Sequence, residues 1–198
     1  MRKPAKPVKT RPPREVTREA VLKAAETHFR KSGFQAASLD TIAKSAHLTK
    51  GAVYSSFKGK DELMLAVMEG QVMRNITRYR SEAASRGGKV TIDSIAAFLA
   101  ERAIEDAPWS TCFAEFAMHA SRRPRIAKAL ASMRAKLRAE IVELLRPLVD
   151  EGHANDARLE TASMVFVALA NGLTLERLSD PSRVNAEIFR DALTRLLR

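Results

Sequence analysis

A single cysteine, Cys112, leaves this chain of 198 residues without a partner for an internal disulfide, and that usage fits a reducing compartment. The four histidines, His28, His47, His119 and His153, stand far apart, and no HExxH, CxxC, phosphate-loop glycine pattern or GxSxG occurs. No metal site, cofactor or catalytic constellation is therefore expected, and the chain does not read as an enzyme. Long apolar runs are missing too. The longest uncharged stretch, Thr161 to Leu175, falls short of the roughly 20 residues a bilayer-spanning helix needs, and the basic N-terminus lacks the apolar run of a secretory signal. A cytoplasmic protein with no membrane role is expected. No repeat at solenoid spacing appears, and from Thr91 onward no stretch alternates as a strand does.

What the chain has in excess is positive charge, and that excess is local. Residues 1–60 hold 14 Lys/Arg against 4 Asp/Glu, a net +10, whereas residues 61–198 hold 20 against 19. Clustering of this kind favours a polyanion partner more strongly than a high overall pI does. Within the basic region, residues 1–16 mix Pro4, Pro7, Pro12 and Pro13 with six Lys/Arg and read as a disordered arm, one that could track a phosphate backbone or enter a minor groove. The arm has no apolar face for a membrane surface.

The stretch Ser38 to Leu63 carries two short apolar clusters, Leu39/Ile42/Ala43/Ala46 and Val53/Tyr54/Phe57, on either side of the turn His47-Leu48-Thr49. Two brief helices packed across a tight corner satisfy that spacing, which is the grammar of a helix-turn-helix. Ser38 and Thr49 are placed to cap the two helices. The outward positions of the second, Lys50, Gly51, Ala52, Ser55 and Ser56, are small, polar or basic, a surface suited to a DNA groove. Ahead of the motif, Val21, Leu22, Ala25 and Phe29 predict a helix from a Thr17 cap to about Ser32, with Gly33 as its stop and His28 beside the stripe.

Six further helices are predicted, so the fold class is all-α with about nine helices: a three-helix DNA-binding domain and a larger helical domain. Lys60 to Ala83 reads as a long connecting helix, and Gly87-Gly88 as a loop. Helices follow at about Thr91–Asp106, from Pro108, and from Pro124, the last carrying a stripe from Ile126 to Leu148 that Pro147 should end or kink. The eighth helix, about Asp156 to Leu178, is apolar or small almost all round between Ala162 and Leu175, so it needs burial on opposite sides. One side can be its own core; the other predicts a second subunit. With a ninth helix, about Val184 to Leu197, it would build a four-helix homodimer interface, for which Ala168, Leu175, Leu178, Leu193 and Leu197 are the candidate contacts.

The ordered set Ala25, Phe29, Gly33, Ser38, Ile42-Ala43, Ala46, Thr49-Lys50-Gly51, Val53-Tyr54, Phe57, Lys60 and Leu63 resembles the TetR family of bacterial transcriptional regulators. The resemblance is specific over residues 17–65; beyond them it lies in helix count and style and in the segment from Ala170 to Pro181. His47 stands where that family's turn usually has glycine, and Ser55-Ser56 replace bulkier aromatic or histidine side chains. At a positive φ, histidine is tolerated though less at ease than glycine. The serines should alter base preference and backbone contacts.

The resemblance implies a division into the arm 1–16, a helix-turn-helix domain 17–62 with its motif at about 37–56, and a helical effector-binding and dimerisation domain 63–198. It implies that the recognition helix enters the major groove of double-stranded DNA. Lys50 would then meet guanine or phosphate, Gly51 and Ala52 would allow close approach, and Tyr54 would donate to phosphate. Ser38, Thr49, Ser55 and Lys60 are the expected phosphate contacts. A two-fold dimer predicts a palindromic operator with half-sites about 34 Å, or a multiple of it, apart. The resemblance also implies repression relieved by a small apolar or amphipathic effector that acts through the connecting helix, with Met68, Trp109, Phe113, Phe116, Met133, Leu137, Met164 and Phe166 as candidate pocket lining. The competing reading of the same charge and motif is a sequence-tolerant DNA-packaging protein without ligand control, which would lack a large specificity ratio.

Overall fold

A computed structural model describes residues 14–85, 87–149 and 156–197. Among the described residues the chain is all-helical, with nine α-helices and one short 3₁₀ turn. The expected arm lies outside them except for its last three residues, and so does any minor-groove role for it.

Helix α1 spans Arg14–Ala36, starting three residues before the expected Thr17 cap. The last proline of the arm is Pro13, so nothing prevents Arg14-Glu15-Val16 from being helical, and Glu15 sits favourably in the first turn. Thr17 is instead buried inside the helix. Val21, Ala25 and Phe29 are fully buried. At Gly33 the backbone turns to φ 76°, ψ 174°, which breaks helical geometry at the expected stop and drops Phe34 into the core.

Helix α2 (Leu39–Ser45) is capped by Ser38, whose hydroxyl accepts the Thr41 N–H at 3.1 Å, and α3 (Lys50–Ser56) by Thr49, which accepts the Ala52 N–H at 3.2 Å. Between them His47 takes φ 55°, its N–H bonded to the Lys44 carbonyl while Leu48 N–H reaches back to Ala43. Those two crossed bonds make a Schellman closure, which requires the left-handed residue that histidine here provides.

Helix α4 (Lys60–Ser85) is the connecting rod. Then come α5 (Ile92–Glu105), opened by a Thr91/Ser94 capping box, α6 (Ala107–Ser121), and α7 (Pro124–Leu145), which gives way at Pro147 to a 3₁₀ turn, Arg146–Leu148. Helices α8 (Asp156–Ser179) and α9 (Ala186–Leu197) complete the chain, and α9 packs along α5.

Two cores share the rod. The first joins Phe29, Phe34, Ile42, Val53 and Phe57 of the helix-turn-helix to Leu63, Met64 and Met68 at the start of α4, and to Cys112 and Phe116 of α6. The second gathers Tyr79, Ile95, Ile141, Leu159, Phe166, Phe189 and Leu193 around the far end of α4. α6 lies closely along α1, so the helix-turn-helix region is packed against the larger helical region by two helices, not by α4 alone. Among the described residues, no helix is long and apolar enough to cross a membrane.

Candidate nucleic-acid interface and internal cavity

Val53 and Phe57 point inward from α3 and are almost wholly buried, which orients the opposite face of that short helix outward. On that face Gly51 is open: a β-carbon there would find only the Thr49 hydroxyl, at 3.9 Å. Ala52 is partly covered, Tyr54 is 49% exposed, and Ser38, Thr49 and Ser55 are exposed. Ser55 and Ser56 both donate to the Ala52 carbonyl, at 2.8 and 3.3 Å, leaving the Ser55 oxygen free to accept. Lys50 is paired with Asp40 at 2.8 Å, and that hydrogen bond and charge raise the ammonium pKa above its ordinary value. Both side chains are well exposed, so an entering phosphate competes with Asp40 at little cost.

Lys60 requires a correction. Its ammonium donates to the carbonyls of Phe34, Gln35 and Ala37 at 2.9, 3.1 and 3.1 Å and lies 4.5 Å from the Phe34 ring centre. Three donors meet three carbonyls, and desolvation lowers the ammonium pKa. The residue ties the α1–α2 connector to α4 and has no donor left for the phosphate contact expected from the sequence.

Two arginines take up a place beside α3: Arg14, expected in the basic arm, and Arg18, to which the sequence pattern assigned no role. Arg18 donates to the Ser56 carbonyl at 3.1 Å with its guanidinium 4.2 Å from the Phe57 ring centre, and Arg14 reaches the Ser55 carbonyl at 3.4 Å. They satisfy carbonyls at the C-terminal end of α3, where cations are favoured. Their four-residue spacing, followed by Val21 three residues on and Ala25 four beyond that, puts them on one helix face once the helix starts at Arg14 rather than Thr17.

A cavity of about 230 Å³ opens between α4, α5, α6, α7 and α8. Of the expected lining, Met68, Trp109, Phe113, Met133, Leu137 and Phe166 do face it. Phe116 does not: it is fully buried edge-on against Phe34, 4.9 Å between ring centres, as part of the first core. Met164 does not either, being 56% exposed on the outside of α8.

The cavity also has a polar wall that apolar periodicity could not reveal. Asp106, buried, lies 3.4 Å from both Gln71 Nε2 and Asn75 Nδ2, and 3.6 Å from the Arg102 guanidinium, which is paired with Glu105 as well. Arg80 pairs with Glu140 at 2.7 Å, and the Tyr79 hydroxyl bonds Ser94 at 2.8 Å. The sequence signal was the four-residue spacing of Gln71/Asn75 and Arg102/Asp106, which puts each pair on one helix face.

The outer side of α8 is apolar as expected. Met164, Val165, Leu175 and Leu178 are 39–56% exposed, and Ala168 and Gly172 lie open between them. Leu193 and Leu197, expected on the same outer face, are buried within this chain's second core because α9 turns its stripe toward α5. Ile188 is the large apolar residue that α9 leaves exposed.

Residues 21–67 match the family described as bacterial regulatory proteins, tetR family, and residues 91–198 match the BetI-type transcriptional repressor C-terminal region. Over 60 residues the chain is 43% identical to the HTH-type transcriptional regulator SrpR of Pseudomonas putida, which covers 30% of this chain and 28% of that protein. The matched stretch thus spans under a third of that relative's length. Among solved structures, the multidrug binding protein EbrR complexed with imidazole aligns with a TM-score of 0.69 at 24% identity over 98% of both chains. Thermus thermophilus FadR, described as a transcriptional repressor in complex with lauroyl-CoA, aligns with a TM-score of 0.65 at 24% identity, covering 91% of this chain and 92% of its own. At these identities the likeness is one of fold.

Proposed function

This chain belongs to the tetR family of bacterial regulatory proteins, a family of helix-turn-helix transcriptional regulators and not of enzymes, and we propose that it acts as a homodimeric, cytoplasmic repressor released from a palindromic operator by a small molecule bound in the internal cavity. The observation that carries the proposal is on one helix. α6 presents Trp109, Ser110 and Phe113 to the cavity, and one to two turns later holds the reading head through Glu115, Phe116 and His119. Glu115 accepts the Gln35 N–H at 3.0 Å, Phe116 packs on Phe34, and His119 bonds Asp61 at 2.8 Å. A ligand that shifts α6 therefore acts on α1 and α4 together, and α4 joins it by lining the cavity with Met68 and Gln71. The ligands held by EbrR and FadR support a cavity of this fold as an effector site.

Release requires that the ligand bind the DNA-incompetent state more tightly, with couplings of about 1–3 kcal/mol typical. The exposed apolar face of α8 supports the two-fold dimer, and with it a symmetric operator. Selection of bound sequences from random duplex, followed by titration of small molecules against the preformed complex, tests the reading. Symmetric sites released by a ligand are expected; asymmetric or unselected sites would leave a packaging role in its place.

A further inference from the structure

The lining of the cavity contains one arginine that no carboxylate among the described residues answers. Arg80 is paired with Glu140, and Arg102 with Asp106, so two of the three arginines on the wall are balanced. The third, Arg134, has no carboxylate partner among the described residues; its guanidinium lies 4.8 Å from the centre of the Phe113 ring, half-buried where α7 faces α6. Burial, reinforced by the neighbouring Arg138, pulls its pKa below the ordinary arginine value. Guanidinium so placed is poorly solvated and keeps most of its five donors unspent. Met133, Leu137 and Phe166 line the same cavity with apolar surface.

Given the reading of the cavity as an effector site, on which this step rests, the geometry points to an effector that is an amphipathic anion, with a carboxylate or similar oxyanion on Arg134 and an apolar body along Leu137 and Phe166. The remaining cavity residues fit that assignment by charge. A cationic ligand would add to an excess positive charge; an anion neutralises it, and its bidentate acceptor matches the guanidinium fork. The contact of the guanidinium with the Phe113 ring restricts its position before the ligand arrives, which lowers the ordering cost of binding.

The chain's one tryptophan, Trp109, lines the same cavity and reports occupancy by its fluorescence. Octanoate, octanol and octylammonium, equal in chain length and different in head group, are the probes for the full-length protein. Octanoate should bind on the order of tenfold tighter than either of the others, and Arg134→Met should remove that advantage, bringing octanoate to the level of octanol in the same variant. Arg134→Lys, which keeps the charge and loses the fork, should retain part of it. Equal binding of all three probes, or a preference for octylammonium, would overturn the anion assignment and leave the cavity as an effector site. Absence of any fluorescence response to all three would count against the cavity itself. Should Arg134→Met fail to fold, the head-group series on the unmodified protein decides alone.

Discussion

Glu115 occupies the space that a side chain on Gly33 would need: a β-carbon there would stand 2.7 Å from Glu115 Oε1 and 2.9 Å from Oε2. Gly33 also adopts φ 76°, ψ 174°, a region closed to other residues except under strain. Gly33→Ala should therefore destabilise the fold by about 1–3 kcal/mol from the backbone alone. For a chain of this size, each kcal/mol lowers Tm by about 2–4 °C. Measured against Glu115→Ala alone, which already lacks both the contact and the Gln35 N–H acceptor, Gly33→Ala should still lower Tm, so that only part of its loss is recovered. Full recovery would mean that the backbone bears no strain.

Lys60 and Lys50 should separate in a salt titration. Lys60→Met leaves the carbonyls of Phe34, Gln35 and Ala37 without this donor and should cost about 1–3 kcal/mol of stability, with no change in the slope of log affinity against log salt. Lys50→Ala should barely alter stability and should lower that slope by about one, as one lost phosphate contact does. If Lys60→Met were the one to shift the slope, the ammonium must leave its carbonyls when DNA binds.

The contrast between these lysines shows where sequence reading stops. Helix order and most boundaries were legible, because stripes such as Val21/Ala25/Phe29 and stops such as Gly33 and Pro147 act within one or two turns of chain. The contacts of Lys60 were not legible because its three acceptors lie 23–26 residues back, at the end of α1 and just beyond it, where backbone carbonyls carry no pattern in the sequence. The same reason explains Phe116, whose partner Phe34 belongs to another helix, and Leu193, whose stripe could face either a second subunit or α5 with equal periodicity. Arg102 and Asp106 are hidden for the opposite reason: a buried ion pair leaves no mark in the apolar periodicity that outlines a cavity.

Cys112 supplies a pH-dependent test of the first core. Burial, with Glu115 adding to it, pushes the thiol pKa up from 9.0 to about 12. The unfolded chain then loses the proton at lower pH than the folded one, so between those values the unfolded state binds fewer protons and stability falls as pH rises. Chemical denaturation at pH 8, 9, 10 and 11 should show the wild type losing stability relative to Cys112→Ala above pH 9, with a constant difference below it. At pH 8 the native thiol should also resist iodoacetamide until the protein unfolds. A flat difference across the whole range would mean that the thiol is not desolvated.

The dimer proposal turns on which leucines lie on the surface. Ala168 sits between Val165 and Gly172 on the open face of α8, so Ala168→Glu leaves the monomer's core untouched while burying a charge in any two-fold interface formed there. Leu193 is fully buried, so Leu193→Ala opens a cavity within one chain and should cost about 2–5 kcal/mol of stability. Sedimentation should therefore find Ala168→Glu folded and monomeric, with weakened affinity for a symmetric operator because each half-site must be bound separately. Leu193→Ala should remain dimeric at a lower Tm. A dimeric Ala168→Glu would place the interface elsewhere on the molecule, and the apolar face of α8 would then need a different partner.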